Sequence, residues 1–124
     1  MFKKVAFTMY PITDVPRARR FYEETLGLKR GSMGSQGDKY WIEYDLPDGG
    51  CLALTNFIED KPSGAGGGTI AFEVEDLDRL VSDLKEKGVA FSSDIIDTPV
   101  CRMAMCVDSE GNSLLLHQLK AKSK

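Results

Sequence analysis

Apolar and polar positions change period along this chain in an order that occurs twice. Val5–Met9 is β-branched and aromatic and reads as a strand. Asp14 follows as a helix N-cap, with Pro16 in the first turn, where a missing N–H costs nothing. Val15, Ala18, Tyr22 and Leu26 then fall on one helical face until Gly27 ends it. Strands are predicted near Leu28–Met33, Lys39–Leu46 and Cys51–Asn56. Downstream, the β-rich segment Gly67–Asp76 again ends in a capping aspartate. Leu77, Leu80, Val81 and Leu84 form the second apolar stripe, and Gly88 stops it. Strands are expected at Val89–Ser92, Val100–Val107 and Ser113–Leu119.

One offset relates the two halves. Asp14 and Asp76 are 62 residues apart, as are the turn glycines Gly49 and Gly111, and the chain is 124 residues long. The pattern predicts an α+β fold of two tandem βαβββ modules, about 1–56 and 67–119, in a single domain. The glycine-rich stretch within 57–66 reads as a flexible linker. It is no phosphate loop, because no Gly-Lys-Ser/Thr follows and a strand comes next.

Composition narrows the function. With 16 Lys and Arg against 19 Asp and Glu, the net charge of −3 lacks the basic excess that phosphate binding needs, so nucleic acid is not an expected partner. No apolar run approaches a membrane span and no signal-peptide pattern opens the chain, so no membrane partner is expected. Three cysteines without CxxC spacing indicate neither a disulfide framework nor zinc, which fits reduced thiols in the cytoplasm. The basic end Lys120–Lys124 reads as a solvated tail.

The motifs Ile12-Thr-Asp14, Arg20-Phe-Tyr-Glu23, Leu26-Gly-Leu28, Ala71–Asp76 and Asp108–Asn112, in that order, resemble the vicinal oxygen chelate superfamily. That superfamily includes glyoxalase I, extradiol dioxygenases and bleomycin-resistance binding proteins. The resemblance implies curved mixed sheets around a cavity with helices outside, and a homodimer. It places the superfamily's four metal-ligand positions at Phe7, Ala53, Thr69 and Leu115. Only the weak Thr69 hydroxyl among these is a donor, so no metal is expected there.

Strand parity then assigns the cavity lining. A three-residue loop with Gly111 in the left-handed region pairs Asp108 with Asn112, Met105 with Leu115 and Met103 with His117. The matching pairs in the first module are Glu43 with Ala53 and Trp41 with Thr55. Phe7, Met9, Trp41, Glu43, Thr55, Thr69, Met103, Met105, Leu115 and His117 are thus the candidate ligand-binding residues, with Glu73 on the same side. Ile42, Tyr44, Leu52 and Leu54 face the first helix, and Ile70, Phe72, Leu114 and Leu116 the second. Apolar walls with a few polar groups suit a small-molecule pocket, although two half-sheets packed into a plain core would show the same pattern. Glu43 is open to ligand contact or to an ion pair with Arg102, and His117 to acid–base work or to a plain strand-end position. Cys51 and Cys101, lacking a basic partner in the pattern, read as inert thiols.

Two functions follow as expectations. The first is a glyoxalase/bleomycin-resistance-like protein that binds a small apolar or aromatic molecule between the modules without a cofactor. The alternative is a lyase or isomerase of glyoxalase type. It would use a divalent metal displaced onto Glu43, Glu73 and His117, or metal-free acid–base catalysis by these candidate catalytic residues. A regulatory dimerisation unit is a third reading.

Overall fold

Strand β3 (Lys39–Asp45) shows how the alternating pattern is used: Ile42 and Tyr44 are fully buried, while Trp41 and Glu43 on the other parity are only half-buried. The computed structural model describes Met1 and residues 3–58, 61–65 and 68–120. The remaining strands are β1 (Thr8–Pro11), β2 (Arg30–Gln36), β4 (Cys51–Thr55), β5 (Ile70–Glu73), β6 (Ile96–Asp97), β7 (Cys101–Val107) and β8 (Ser113–Leu119). The helices are α1 (Val15–Arg20), continued by a π-helical turn at Phe21–Thr25, and α2 (Leu77–Glu86). The chain divides into two units, Met1–Pro62 and Ser63–Lys124, each a βαβββ module.

Each unit holds one four-stranded mixed sheet, ordered β1-β4-β3-β2 in the first and β5-β8-β7-β6 in the second. The register repeats with the predicted offset. Met9 pairs Ala53 and Glu43 pairs Ala53 in the first sheet; Ala71 pairs Leu115 and Met105 pairs Leu115 in the second. The hairpin turns match as well. Asp108 N–H donates to Asn112 O (2.9 Å) and Leu46 N–H to Gly50 O (3.1 Å), while Gly111 and Gly49 sit at φ of 99° and 114°. Only glycine adopts that backbone without strain. Asp108 is buried and accepts the Glu110 and Asn112 amides at 2.8 Å each, which explains the Asp108–Asn112 motif as a self-satisfied turn.

Both helices start as expected, with Asp14 accepting from Arg17 N–H (3.0 Å) and Asp76 from Arg79 N–H (3.2 Å). Gln118 on β8 adds a second cap to α2, accepting the Leu77 amide at 2.8 Å. Asp76→Ala is expected to lower stability by about 1 kcal/mol, read as a shift in urea midpoint at unchanged slope.

The structure departs from the predicted elements at six places, one of them β2, which runs over Arg30–Gln36 in place of the predicted Leu28–Met33. The first strand begins at Thr8, not Val5, because its partner β4 begins only at Cys51; Val5 is left 77% exposed. It runs on to Pro11, which an edge strand tolerates: Ile12 N–H bonds Thr55 O, so the missing donor faces away from β4. The first helix loses α geometry in its last turn, where Leu26 N–H reaches Phe21 O, five residues back, at 2.9 Å. Asp14 to Gly27 is one residue longer than Asp76 to Gly88, and the π turn absorbs that extra residue. The predicted strand Val89–Ser92 is reduced to a bridge between Phe91 and Cys106, and regular pairing resumes only at Ile96–Asp97. There the Ser93 hydroxyl accepts Met105 N–H (3.0 Å) in place of a backbone carbonyl.

The last two departures concern the connector and the tail. Ser63 N–H donates to Asn112 Oδ1 (3.3 Å) and Ser113 Oγ to Gly64 O (3.2 Å), so this part of the linker is tied to the β7–β8 turn. Residues 59, 60, 66 and 67 lie outside the described ones. Lys120 is half-exposed but tied down: its ammonium bonds Thr98 O (2.7 Å) and pairs with Asp97, whereas residues 121–124 of the expected tail are outside the described ones.

The core of each unit lies between its helix and one sheet face. In the first, Tyr22 stacks on Tyr44 (5.9 Å, 29°) over buried Ile42, Leu52 and Leu54. In the second, Leu77, Val81 and Leu84 cover the face carrying Ala104, Cys106, Leu114 and Leu116. Among the described residues no helix is long and apolar enough to cross a membrane.

Candidate functional site

Period-two alternation leaves each sheet a second face that its own helix does not cover. On the first sheet, the register puts Met9, Glu43 and Ala53 side by side and Trp41 next to Thr55. Phe7 meets the Trp41 indole edge-on, with ring centroids 5.1 Å apart and planes at 88°. Phe7 and Met9 are 42% and 43% exposed, a large apolar area for one small sheet face.

Glu43 has a definite role there: its Oε2 accepts the indole Nε1–H at 2.7 Å. Arg102 is not its partner. It lies on the helix-facing parity of β7 and pairs with Asp78 of α2, Nη2 donating to Oδ1 at 2.9 Å. Thr55 shares the face but is fully buried, and its hydroxyl donates to Tyr40 O (2.9 Å) and accepts Phe57 N–H (2.9 Å). That hydroxyl holds the end of β4 rather than offering itself to a ligand.

On the second sheet, Met103 pairs His117, Met105 pairs Leu115 and Glu73 pairs His117, so these residues share one face. Thr69 precedes β5 and is exposed. The side chains of Glu73 and His117 meet, Nδ1 to Oε1 at 2.6 Å. The other carboxylate oxygen accepts Leu119 N–H at 2.7 Å. The Leu119 amide first, and the imidazole second, hold the Glu73 carboxyl below its ordinary range. An ionised Glu73 can only accept, so the imidazole proton sits on Nδ1.

Neither Cys51 nor Cys106 is activated. Burial pushes the buried Cys106 up to about 11, and burial with nearby Glu43 and Asp45 raises Cys51. Cys101 is buried against the Thr98 hydroxyl at 3.2 Å. Among the described residues no group of three His, Cys, Asp or Glu side chains could hold a metal ion. The aromatic ring of Phe7 and the aliphatic chains of Ala53 and Leu115 do not fit a divalent cation.

A further polar cluster lies under α1, where the sequence suggested only core. Arg19 Nε and the Tyr44 hydroxyl both donate to Glu23 Oε2 at 2.8 Å. Arg19 first, with Tyr44 also bonded, holds the Glu23 carboxyl low, while burial raises the Tyr44 hydroxyl. Beside them, Val15, Pro16, Arg20, Met33 and Tyr40 help line an open groove of about 510 Å³. The signal for this cluster was available: a tyrosine on an otherwise apolar face must find a partner for its hydroxyl.

Comparison with known proteins adds four findings. The family profile of the Glyoxalase/Bleomycin resistance protein/Dioxygenase superfamily matches residues 4–116. The anthracycline biosynthesis protein DauV of Streptomyces sp. (strain C5) is 31% identical over 109 residues, which is 86% of this chain but only 38% of DauV. TnmS3, an antibiotic binding protein from Streptomyces sp. CB03234, has a similar structure (TM-score 0.81, 27% identity, 96% of this chain and 98% of that one). A glyoxalase/bleomycin resistance protein from the same strain also does (TM-score 0.76, 27% identity, 90% and 97%).

Proposed function

The chain belongs to the Glyoxalase/Bleomycin resistance protein/Dioxygenase superfamily, and from that premise we propose that it binds a flat, fused aromatic compound of antibiotic type without transforming it. The observation that carries this reading is the pair of exposed Phe7 and half-buried Trp41, whose only side-chain polar atom is already satisfied by Glu43. An indole fixed by a hydrogen bond and braced by a second ring is a pre-ordered stacking surface, so little side-chain freedom is lost on binding. Met9 beside it supplies a polarizable contact that adapts to ligand shape. The names of two relatives, an anthracycline biosynthesis protein and an antibiotic binding protein, point to the same ligand class.

Trp41 is the only tryptophan, so its emission reports this surface directly. Titration with anthraquinone is expected to quench Trp41 saturably, and Trp41→Ala to weaken binding at least about tenfold by calorimetry, as truncation of a central aromatic anchor does. Saturable binding that leaves both the emission and the variant's affinity unchanged would remove Trp41 from the site.

The Glu73–His117 contact supports a second reading, metal-free proton transfer on the bound compound. Incubation in deuterium oxide separates the two. A binder returns its ligand unlabelled, whereas an enzyme of this type returns it labelled or altered.

A further inference from the structure

Resting on the ligand-binding reading above, we propose that the Trp41 surface selects cationic aromatics, a flat ring system bearing an ammonium group that pairs with the free oxygen of Glu43. Phe7, Met9, Trp41 and Glu43 all belong to the first unit. Glu43 Oε2 accepts the indole Nε1–H at 2.7 Å, while Oε1 has no hydrogen-bond partner among the described residues. No Lys or Arg among the described residues forms an ion pair with this carboxylate. Its register neighbours on the same face are Ala53 and, beyond that, Met9, neither of which brings charge.

The other charges of this parity on β3 do not neutralise it. Lys39 is four residues before Glu43, about 13 Å along a strand and more than a screening length away in physiological salt. Asp45, two residues on, carries the same sign as Glu43. A half-buried negative charge thus stands on an apolar face, bordered by an indole and a thioether that solvate it less well than water. A ligand that supplies the missing cation gains a charge-assisted hydrogen bond there. This selectivity rests on charge and needs no single carboxylate rotamer. There is also room beside the indole. Trp41 pairs with Gly34 of β2, which has no side chain and nothing within 4 Å of where one would begin. The ligand fitted by these features is a ring stacked beside the indole, with the ammonium on a short arm at the Nε1 edge.

The test uses three anthraquinones that differ at one position: 2-(aminomethyl)anthraquinone, protonated near neutral pH, 2-methylanthraquinone, and anthraquinone-2-carboxylate. Affinity is read by calorimetry and by Trp41 quenching. The wild-type chain is expected to bind the ammonium compound at least about fivefold more tightly than the methyl compound, and the carboxylate most weakly. Raising sodium chloride from about 0.05 to about 0.5 M should shrink that preference, because salt screens a half-exposed pair. Glu43→Gln keeps an oxygen for the indole N–H but removes the charge. In that variant 2-methylanthraquinone should still bind and quench Trp41, while the cationic preference falls to within about twofold. Glu24→Gln makes the same change in net charge on the helix that covers the other face of this sheet, and should leave the preference intact. A preference that is absent from the wild-type chain, indifferent to salt, retained in Glu43→Gln, or lost equally in Glu24→Gln overturns the role of Glu43 and leaves the binding function standing. Failure of the wild-type chain to bind any of the three compounds overturns the function and this inference together.

Discussion

Leu114→Ala is expected to destabilise the chain by about 2–5 kcal/mol, and Leu115→Ala, one residue on, by no more than about half as much. The two leucines share a strand and differ only in parity. Leu114 is fully buried on the face that α2 covers, paired with Cys106 and Ile70. Its truncation leaves a cavity that surrounding side chains close only in part. Leu115 is half-exposed on the helix-free face, between Met105 and Ala71, so part of the alanine site stays open to solvent. Urea unfolding of both variants at equal slope measures the difference. Equal losses would mean that the helix-free face is core rather than a ligand surface.

Glu23→Ala is expected to cost about 1–3 kcal/mol at neutral pH, because it strands the Tyr44 hydroxyl, whose side chain is fully buried, without its acceptor. Glu23→Gln, which keeps an oxygen for Tyr44, should cost less. The loss depends on pH in a definite direction. Arg19, foremost, lowers the Glu23 pKa from 4.5 in the folded state, so the unfolded chain binds this proton more readily. The carboxylate's contribution is therefore complete above about 4.5 and is lost as pH falls through the lower folded value. The stability gap between the wild-type chain and Glu23→Gln should accordingly narrow between neutral pH and about pH 3. A gap that widens on acidification would show that the folded carboxyl is not held low by Arg19.

Much of the architecture was legible before any coordinates. Asp14 with Asp76 and Gly49 with Gly111 mark the repeat, because caps and left-handed turn positions accept few residue types. Once the Asp108–Asn112 turn fixes the hairpin, two-residue periodicity leaves one register, and the pairs of Met103 with His117 and Trp41 with Thr55 follow. The same periodicity sorted the candidate residues onto helix-free faces but said nothing of what each polar group holds. Glu43 could equally have faced a ligand or an arginine. The structure gives it to the indole beside it.

The sequence by itself determined the two modules, their α+β class, the sheet register and the apolar face that each helix covers. These depend on local chemistry: turn conformations, caps and periodicity act over a few residues and recur wherever the same residues recur. The tertiary structure alone decided the π turn at Phe21–Thr25, the break before β6, the Arg19–Glu23–Tyr44 cluster and the Glu73–His117 pair. Glu73 and His117 are 44 residues apart in the chain, and Glu23 and Tyr44 are 21 apart. Whether such groups meet depends on side-chain reach and on how burial and competing donors rank the possible partners. Those terms exist only once the strands and helix have packed.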